Sequence, residues 1–408
     1  MKTRAFFVFK SLILLQLLIL FSINSFSVNE IKNKVKTDKD ITVGAKRIDE
    51  YINLIKNKRV AIIANHTTTI NDVHLVDTLI SLKINIVKIF CPEHGFRGSD
   101  DAGEEVNSTK DSKTGLPIIS LYGNNKKPSK EMLKDIDIII FDIQDVGVRF
   151  YTYISTLTYA MEACAENNIE FLVLDRPNPN GFYVDGPILD QKFKSFVGLH
   201  QIPIVHGLTI AEYALMVNEE GWLNKGIKCK LNYVKCLNYS HSDLYQLPIK
   251  PSPNLPNMEA VYLYPSLCLF EGTIVSVGRG TDMPFQIFGY PNSKIGNFTF
   301  TPISIEGMSK NPPYKGEKCN GFDLRNYTKD CFKSFQGLNL YWLIEMYKNC
   351  ENKPAFFNNF FNNLAGTSAL KDAIIAGKSE AEIEKTWAEG LSKYKTIRAK
   401  YLLYPKEE

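Results

Sequence analysis

Two stretches constrain this chain more than any others: residues 85–98, NIVKIFCPEHGFRG, and residues 137–153, DIIIFDIQDVGVRFYTY. In each, an apolar run long enough for one buried strand stops at a cluster of carboxylates, arginines, glycines and tyrosines. Continuous runs such as 86–91 and 138–143, without polar alternation, are the pattern of parallel strands covered on both faces. Polar residues just past such strands stand where open parallel sheets bind their ligands.

The same pattern recurs along the chain. Strand-like runs at 59–65, 86–91, 117–121, 137–143 and 170–175 alternate with helix-period segments at 48–55, 75–82, 129–133 and 153–166. A helix at 209–219 and a strand at 229–235 complete the unit. The expected fold class is therefore α/β, a Rossmann-like doubly wound parallel sheet, followed by a second, smaller α+β domain. The proline-rich stretch 247–256, LPIKPSPNLP, reads as the boundary. A Rossmann-like catalytic domain is expected over 42–250 and the closing domain over 251–408. An amphipathic helix is expected near 380–391.

Ahead of these, Lys2, Arg4 and Lys10 flank the apolar run 11–21, and small residues Ser25 and Ser27 follow. This is the layout of a secretory signal peptide over 1–27, joined by a charged linker over 28–41. The run is short of the roughly 20 residues that span a bilayer. The expected location is secreted or periplasmic, with no stable membrane span after cleavage. Without the leader's three basic residues the formal charge of +4 falls to +1, so nucleic acid is not an implied partner. Among eight cysteines without CxxC spacing, Cys91, Cys164 and Cys268 read as buried thiols and Cys319 with Cys331 as the candidate disulfide.

Every strand of the first unit ends in polar residues: Asn65 and His66, Glu93 and His94, Tyr122, Asp142 with Asp145, and Asp175 with Arg176. Five such endings on one edge line a pocket. Glu93 leads the candidates, because Pro92 restricts the backbone before it and Gly95 and Gly98 permit a tight turn after it. A general acid must hold its proton at neutral pH, which calls for partial desolvation, against Phe96 for example. Asp142 and Asp145 point to opposite faces of an extended strand, and Asp145, next to Gly147, is the better pocket member. Arg149, Tyr151 and Tyr153 suit a ring-shaped polar ligand. Arg97, Arg149, Arg176 and Arg279 offer anion recognition, and His206 is a further pocket candidate. The long loop 176–206 reads as a lid. Glu271, with Arg279, supplies a carboxylate from the second domain, as a two-carboxylate hydrolase requires, or else forms a plain salt bridge.

Nothing implies a cofactor. No G-x-G-x-x-G follows the first strand, no Walker motif or G-x-S-x-G elbow occurs, and His66 and His94 lack HxxxH spacing for a metal.

With these residues in view, the chain resembles the exo-β-N-acetylmuramidase family (NamZ-like proteins). The matching stretches are ANHT (64–67), PEHGFRG (92–98), DAGE (101–104), TGLPIISLYG (114–123), FDIQDVGVRFYTYISTLTYAMEA (141–163), LDRPNPNG (174–181), PSPNLP (251–256), YPSLCLFEGTIVSVGRGTDMPF (264–285), LAGTSALKDAI (364–374) and YLLYP (401–405). The resemblance implies a Rossmann-like domain and a smaller C-terminal domain with the active site in the cleft between them. It implies release of N-acetylmuramic acid from non-reducing ends of peptidoglycan fragments, with the family's catalytic glutamate on Glu93. N-acetylmuramic acid carries a lactyl carboxylate, which gives the arginines a target. The residues alone also admit a non-catalytic cell-envelope receptor for muropeptide sugars, or a metal-assisted amidase or deacetylase using His66 and His94.

Overall fold

The structure, a computed structural model, describes residues 35–37, 39–93, 95–96, 109–327 and 337–404. The expected leader, His94, Arg97, the DAGE motif and Cys331 lie outside the described residues.

The apolar runs form a seven-stranded sheet: Val60–Ala64 (β1), Ile86–Cys91 (β2), Thr109–Lys110 (β3), Pro117–Ser120 (β4), Ile138–Asp142 (β5), Glu170–Leu174 (β6) and Lys230–Val234 (β7). Their order is β7-β6-β5-β1-β2-β4-β3, parallel throughout except for the antiparallel β3 edge. The chain winds outward from β1 in both directions, to β2 and β4 on one side and to β5, β6 and β7 on the other. Where the winding reverses, the carboxyl ends of β1, β2 and β5 leave a crevice.

Period-two alternation divides the strands between two cores. Ile62, Ile89, Ile140 and Leu172 pack with helices Ile48–Ile55 (α1) and Leu75–Ser81 (α2). Ile63, Phe90, Phe141 and Phe171 pack with Tyr153–Glu166 (α3), Ile210–Glu219 (α4) and much of the C-terminal half. A capping box of Thr209 and Glu212 starts α4. Residues 129–133 form turns rather than the expected helix. The Ser129 hydroxyl there accepts the Met132 N–H at 3.2 Å, and Asp135 adopts a left-handed φ of 63°.

The C-terminal half begins with helix Met258–Leu267 (α5). It adds an antiparallel sheet of Ile287–Tyr290 (β8), Phe298–Phe300 (β9) and Cys319–Asp323 (β10), then helices Tyr341–Lys348 (α6), Phe361–Ala365 (α7) and Ala369–Ile375 (α8). The single helix expected near 380–391 is two, Glu380–Glu384 (α9) and Ala388–Arg398 (α10). Buried Trp387 lies between them, its indole N–H donating to Asp185 at 3.0 Å. Cys91, Cys164 and Cys268 are buried thiols, as is Cys319. From Val35 onward the chain forms one compact unit, and no described helix is long and apolar enough to cross a membrane.

One side chain ties the halves together. Arg149 is fully buried. Its Nη1 donates to the carbonyls of Pro187 and Ile202 and its Nη2 to those of Leu364 and Ala365, all at 2.8–2.9 Å. It therefore faces no hollow, and the expected substrate-binding role gives way to a structural one. Gly366, at φ 75°, makes room for it, since a Cβ there would stand 2.5 Å from Nη2. The loop 176–206 is correspondingly no free lid. Its anchors include the Arg149 N–H donating to the Ile204 carbonyl at 2.7 Å and the Leu338 N–H donating to Asp185 Oδ2 at 2.8 Å.

Arg149→Met strands four buried carbonyls. It should cost on the order of 3–5 kcal/mol, read as a lower urea midpoint at an unchanged slope. Arg149→Lys should recover only part of this, because one ammonium cannot serve both pairs of carbonyls.

Candidate active site

The crevice at the switch point gathers residues from β1, β2, β4 and β5. Glu93 is half-buried two residues beyond β2, on a turn closed by the Gly95 N–H donating to the Pro92 carbonyl at 3.2 Å. Its carboxylate hydrogen-bonds the hydroxyl of Tyr122, which follows β4. Burial first, then the charge of Glu93, pushes that phenol well above its usual range, while the Arg279 guanidinium acts in the opposite sense. Tyr122 thus feels a carboxyl of the first half and a guanidinium of the second. Behind Glu93, the buried Asn65 amide donates to the Tyr153 hydroxyl at 3.0 Å, and that phenol is also raised by burial first and then by Glu93. His66 contacts the Lys250 carbonyl through Nε2 at 2.8 Å, which brings the proline-rich connector to the rim.

The opposite wall comes from the segment after α5. A short 3₁₀ turn, Cys268–Gly272, delivers Glu271, and Arg279 follows between Gly278 and Gly280, both at positive φ. Only glycine fits at 280, because a Cβ would meet the Ile303 carbonyl at 2.6 Å. Arg279 Nε donates to Glu271 Oε1 at 2.5 Å, and each side chain keeps about a quarter of its surface exposed. Glu271 Oε2 accepts the Cys268 thiol at 3.5 Å. The guanidinium lies over the Phe285 ring at 5.1 Å. Edge-to-face contacts continue from there, Phe285 to Tyr264 at 4.9 Å, Tyr264 to Tyr151 at 5.9 Å and Tyr151 to Tyr153 at 4.8 Å, so that one aromatic chain joins the two walls. A cavity of about 220 Å³ opens beside the pair, lined among others by Glu271, Ile274, Val275, Val277, Arg279 and Tyr314.

Chemically, the arrangement offers a carboxyl hydrogen-bonded to a phenol, and a carboxylate–guanidinium pair whose guanidinium acts on the same phenol. Glycoside hydrolysis uses a pair of carboxyls, and Glu93 and Glu271 are the two candidates, linked through Tyr122 and Arg279. Among the described residues no cluster of His, Cys, Asp or Glu could hold a metal ion.

Other expected site residues are brought elsewhere. Arg176 pairs with buried Asp142, Nε to Oδ1 at 2.6 Å and Nη2 to Oδ2 at 2.9 Å, and also donates to the Thr69 carbonyl. Asp175 is fully buried, accepting from the Ala211 N–H at 3.0 Å and from the Tyr404 hydroxyl at 2.6 Å, where it holds the start of α4 and the C-terminal tail. The Tyr151 hydroxyl is spent on the Pro251 carbonyl at 2.8 Å. Asp145 lies behind the wall, its Oδ2 accepting the Gly147 N–H at 2.6 Å and standing 3.9 Å from His206 Nε2. His206 is itself buried, with the Leu208 N–H on Nδ1 at 3.2 Å. Guanidinium groups with apolar neighbours turned inward, and the sequence carries no sign of which would do so. The residues missed were Tyr122, legible only as a polar strand end, and Phe285 and Tyr314, which look like ordinary core aromatics in the sequence.

Comparison with known proteins gives these residues a context. Residues 60–259 match the model of the exo-β-N-acetylmuramidase NamZ N-terminal domain and residues 262–404 that of its C-terminal domain. The chain is 38% identical over 394 residues to the peptidoglycan β-N-acetylmuramidase NamZ of Bacillus subtilis (strain 168), covering 91% of this chain and 92% of that one. Two crystal structures of DUF1343 family proteins from Bacteroides fragilis NCTC 9343 superpose on it. One is 49% identical with a TM-score of 0.84, the other 29% identical with a TM-score of 0.76, and each match covers 90% of this chain and 99% of the other.

The buried acids behind the wall should show in the pH dependence of stability. Burial, opposed by hydrogen bonds from the Gly147 and Val146 backbone, pushes Asp145 up to about 7; an unfolded Asp titrates near about 4. Between these values the folded chain binds more protons, so the Asp145 contribution to stability is present below about pH 4 and lost as pH rises to about 7. Buried Asp175, also pushed up to about 7, acts in the same sense, and His200 and His206, pushed down to about 3 by burial, act in the opposite one. Asp145→Asn should therefore gain on the parent by up to about 1.4 kcal/mol per pH unit between pH 5 and 7. Urea unfolding at several pH values measures this, and a constant difference would contradict it.

Proposed function

The chain belongs to the exo-β-N-acetylmuramidase NamZ family, and from that premise we propose that it is an exo-acting glycoside hydrolase that releases N-acetylmuramic acid from the non-reducing end of peptidoglycan fragments. The observation that carries the reading is the Glu93 carboxyl beyond β2, hydrogen-bonded to Tyr122 on a phenol that also feels Arg279. In this proposal Glu93 is the general acid and base, protonating the glycosidic oxygen as the bond to the leaving sugar breaks. Glu271 is the second carboxylate. It lies at the partly exposed rim, whereas Asp145 is buried among backbone donors and takes no direct part. Asn65 and Tyr122 set the acid's surroundings, and Arg279 meets the substrate's negative charge.

The basic, apolar and small-residue succession of residues 1–27 supports export, so the proposed place of action is outside the cytoplasmic membrane, secreted or periplasmic. The substrate there is a small carbohydrate, which needs no cofactor for acid–base cleavage.

Glu93→Gln should lower turnover of a chromogenic N-acetylmuramic acid β-glycoside by at least about 10²-fold, the usual contribution of a general acid, with an unchanged melting temperature. Near-parental turnover removes Glu93 from the role. Incubation of the parent protein with the muramic acid–glucosamine disaccharide, followed by product analysis, separates cleavage from capture: an intact disaccharide would mean a receptor.

A further inference from the structure

The cavity beside Glu271 and Arg279 has features that catalysis alone does not require. Nine described non-glycine residues have a left-handed backbone. Seven are Asn, Asp or Lys; the two aromatic ones are Phe285 at 57° and Tyr314 at 58°. A bulky residue in that region is strained, and such strain gathers at ligand sites. Both aromatics lie at the same site. Phe285 lies under Arg279, and Tyr314 lines the cavity with it, its hydroxyl donating to the Ile274 carbonyl at 2.6 Å. Glu271 fixes Nε at 2.5 Å, while among the described residues nothing takes the Nη groups. The fork is oriented on two sides and open on the third.

The rest of the lining is apolar at Ile274, Val275, Val277 and Pro313 and carries two hydroxyl residues, Thr273 and Ser276. At about 220 Å³ the space is smaller than the roughly 300–1,000 Å³ of a whole-ligand pocket, which suits a substituent better than a sugar ring. A guanidinium fork beside small apolar walls is complementary to one carboxylate carried next to one methyl group. On N-acetylmuramic acid that combination is the lactyl ether.

We propose that Arg279, with this cavity, receives the lactyl group of the substrate and is the residue that distinguishes N-acetylmuramic acid from N-acetylglucosamine. The assignment rests on the proposed function and refines it. The lactyl carboxylate accepts from both Nη groups of Arg279, and its methyl group meets Val275 and Val277. The other described candidate arginines cannot share the task, because Arg149 is bound to four carbonyls and Arg176 to Asp142. A sugar lacking the lactyl group leaves the Nη donors unpaired, a more severe penalty than a missing apolar contact.

The test is a cycle between protein and ligand, read by calorimetric binding of free N-acetylmuramic acid and its lactyl methyl ester to the full chain and to Arg279→Met, alongside turnover of the chromogenic glycoside. Esterification should weaken binding to the parent by about 10²-fold. Arg279→Met should weaken binding of the acid by a similar factor and that of the ester by little, so that the two losses are shared. Arg279→Lys, which keeps the charge without the fork, should recover part of the affinity and carries the same cycle if Arg279→Met is insoluble. Losses that simply add would overturn the proposal even with turnover intact. Arg279-dependent binding without any turnover would support the lactyl site and remove the hydrolase reading instead.

Discussion

A single guanidinium buried without a carboxylate sets the terms for this fold. Burial pushes Arg149 down to about 9, still well above neutral pH, so the folded chain carries a full charge in its interior. Carbonyl oxygens are its compensation, and they come from two places: the loop 176–206 and the last two residues of α7. Neither of these segments can move away without leaving both the charge and its own carbonyls unpaired. A hydrophobic contact between the halves would tolerate sliding, because burial has no preferred direction. Four directed hydrogen bonds to a planar fork do not.

That rigidity matters because the site belongs to neither half. Glu93, Asn65 and Tyr122 follow from strand ends around the topological switch point, whereas Glu271 and Arg279 come from a turn and a glycine-flanked loop after α5. The aromatic succession Tyr153, Tyr151, Tyr264, Phe285 spans the gap between them. Each edge-to-face pair contributes only about 0.5–1.5 kcal/mol beyond its burial, but each also fixes an angle, and a chain of fixed angles transmits position. The C-terminal tail adds a second brace, with Tyr404 on Asp175 and the Leu403 N–H on Glu212 at 2.7 Å.

What the sequence disclosed follows from what it encodes locally. Strands β1, β2, β5 and β6 were legible because a parallel strand covered on both faces must be apolar throughout, and few other elements look like that. The turn at Glu93 was legible from Pro92 and Gly95. Strand-end polarity, in contrast, does not tell a binding residue from a buried tie. Asn65, Asp142, Asp145, Asp175 and Arg176 all end strands, yet Asp142 and Arg176 neutralise each other and Asp175 holds a helix start. Their fate depends on partners far along the chain, Tyr404 being 229 residues from Asp175. The loop 176–206 read as a lid because its length and prolines are those of one. Its burial depends on Arg149 and Asp185, whose partners no local pattern reveals.

The contrast among the arginines follows from desolvation. A guanidinium taken out of water must be met by enough acceptors to offset its lost hydration, and Arg149 is met by four carbonyls at its two Nη groups and Arg176 by Asp142 at Nε and Nη2. Arg279 is three-quarters buried but has, among the described residues, one acceptor, the Glu271 carboxylate on Nε, and an aromatic face. Among the described residues its Nη donors find no acceptor, in a place that water only partly reaches. Phe285 and Tyr314 add backbone strain of about 1–3 kcal/mol each at the same spot. A chain under no other demand would relieve both by letting the loop swing outward. The loop stays because its neighbours are held by the braces that Arg149 and the C-terminal tail supply, so the stability of the rest of the molecule maintains a site that is locally unfavourable until an anion fills it.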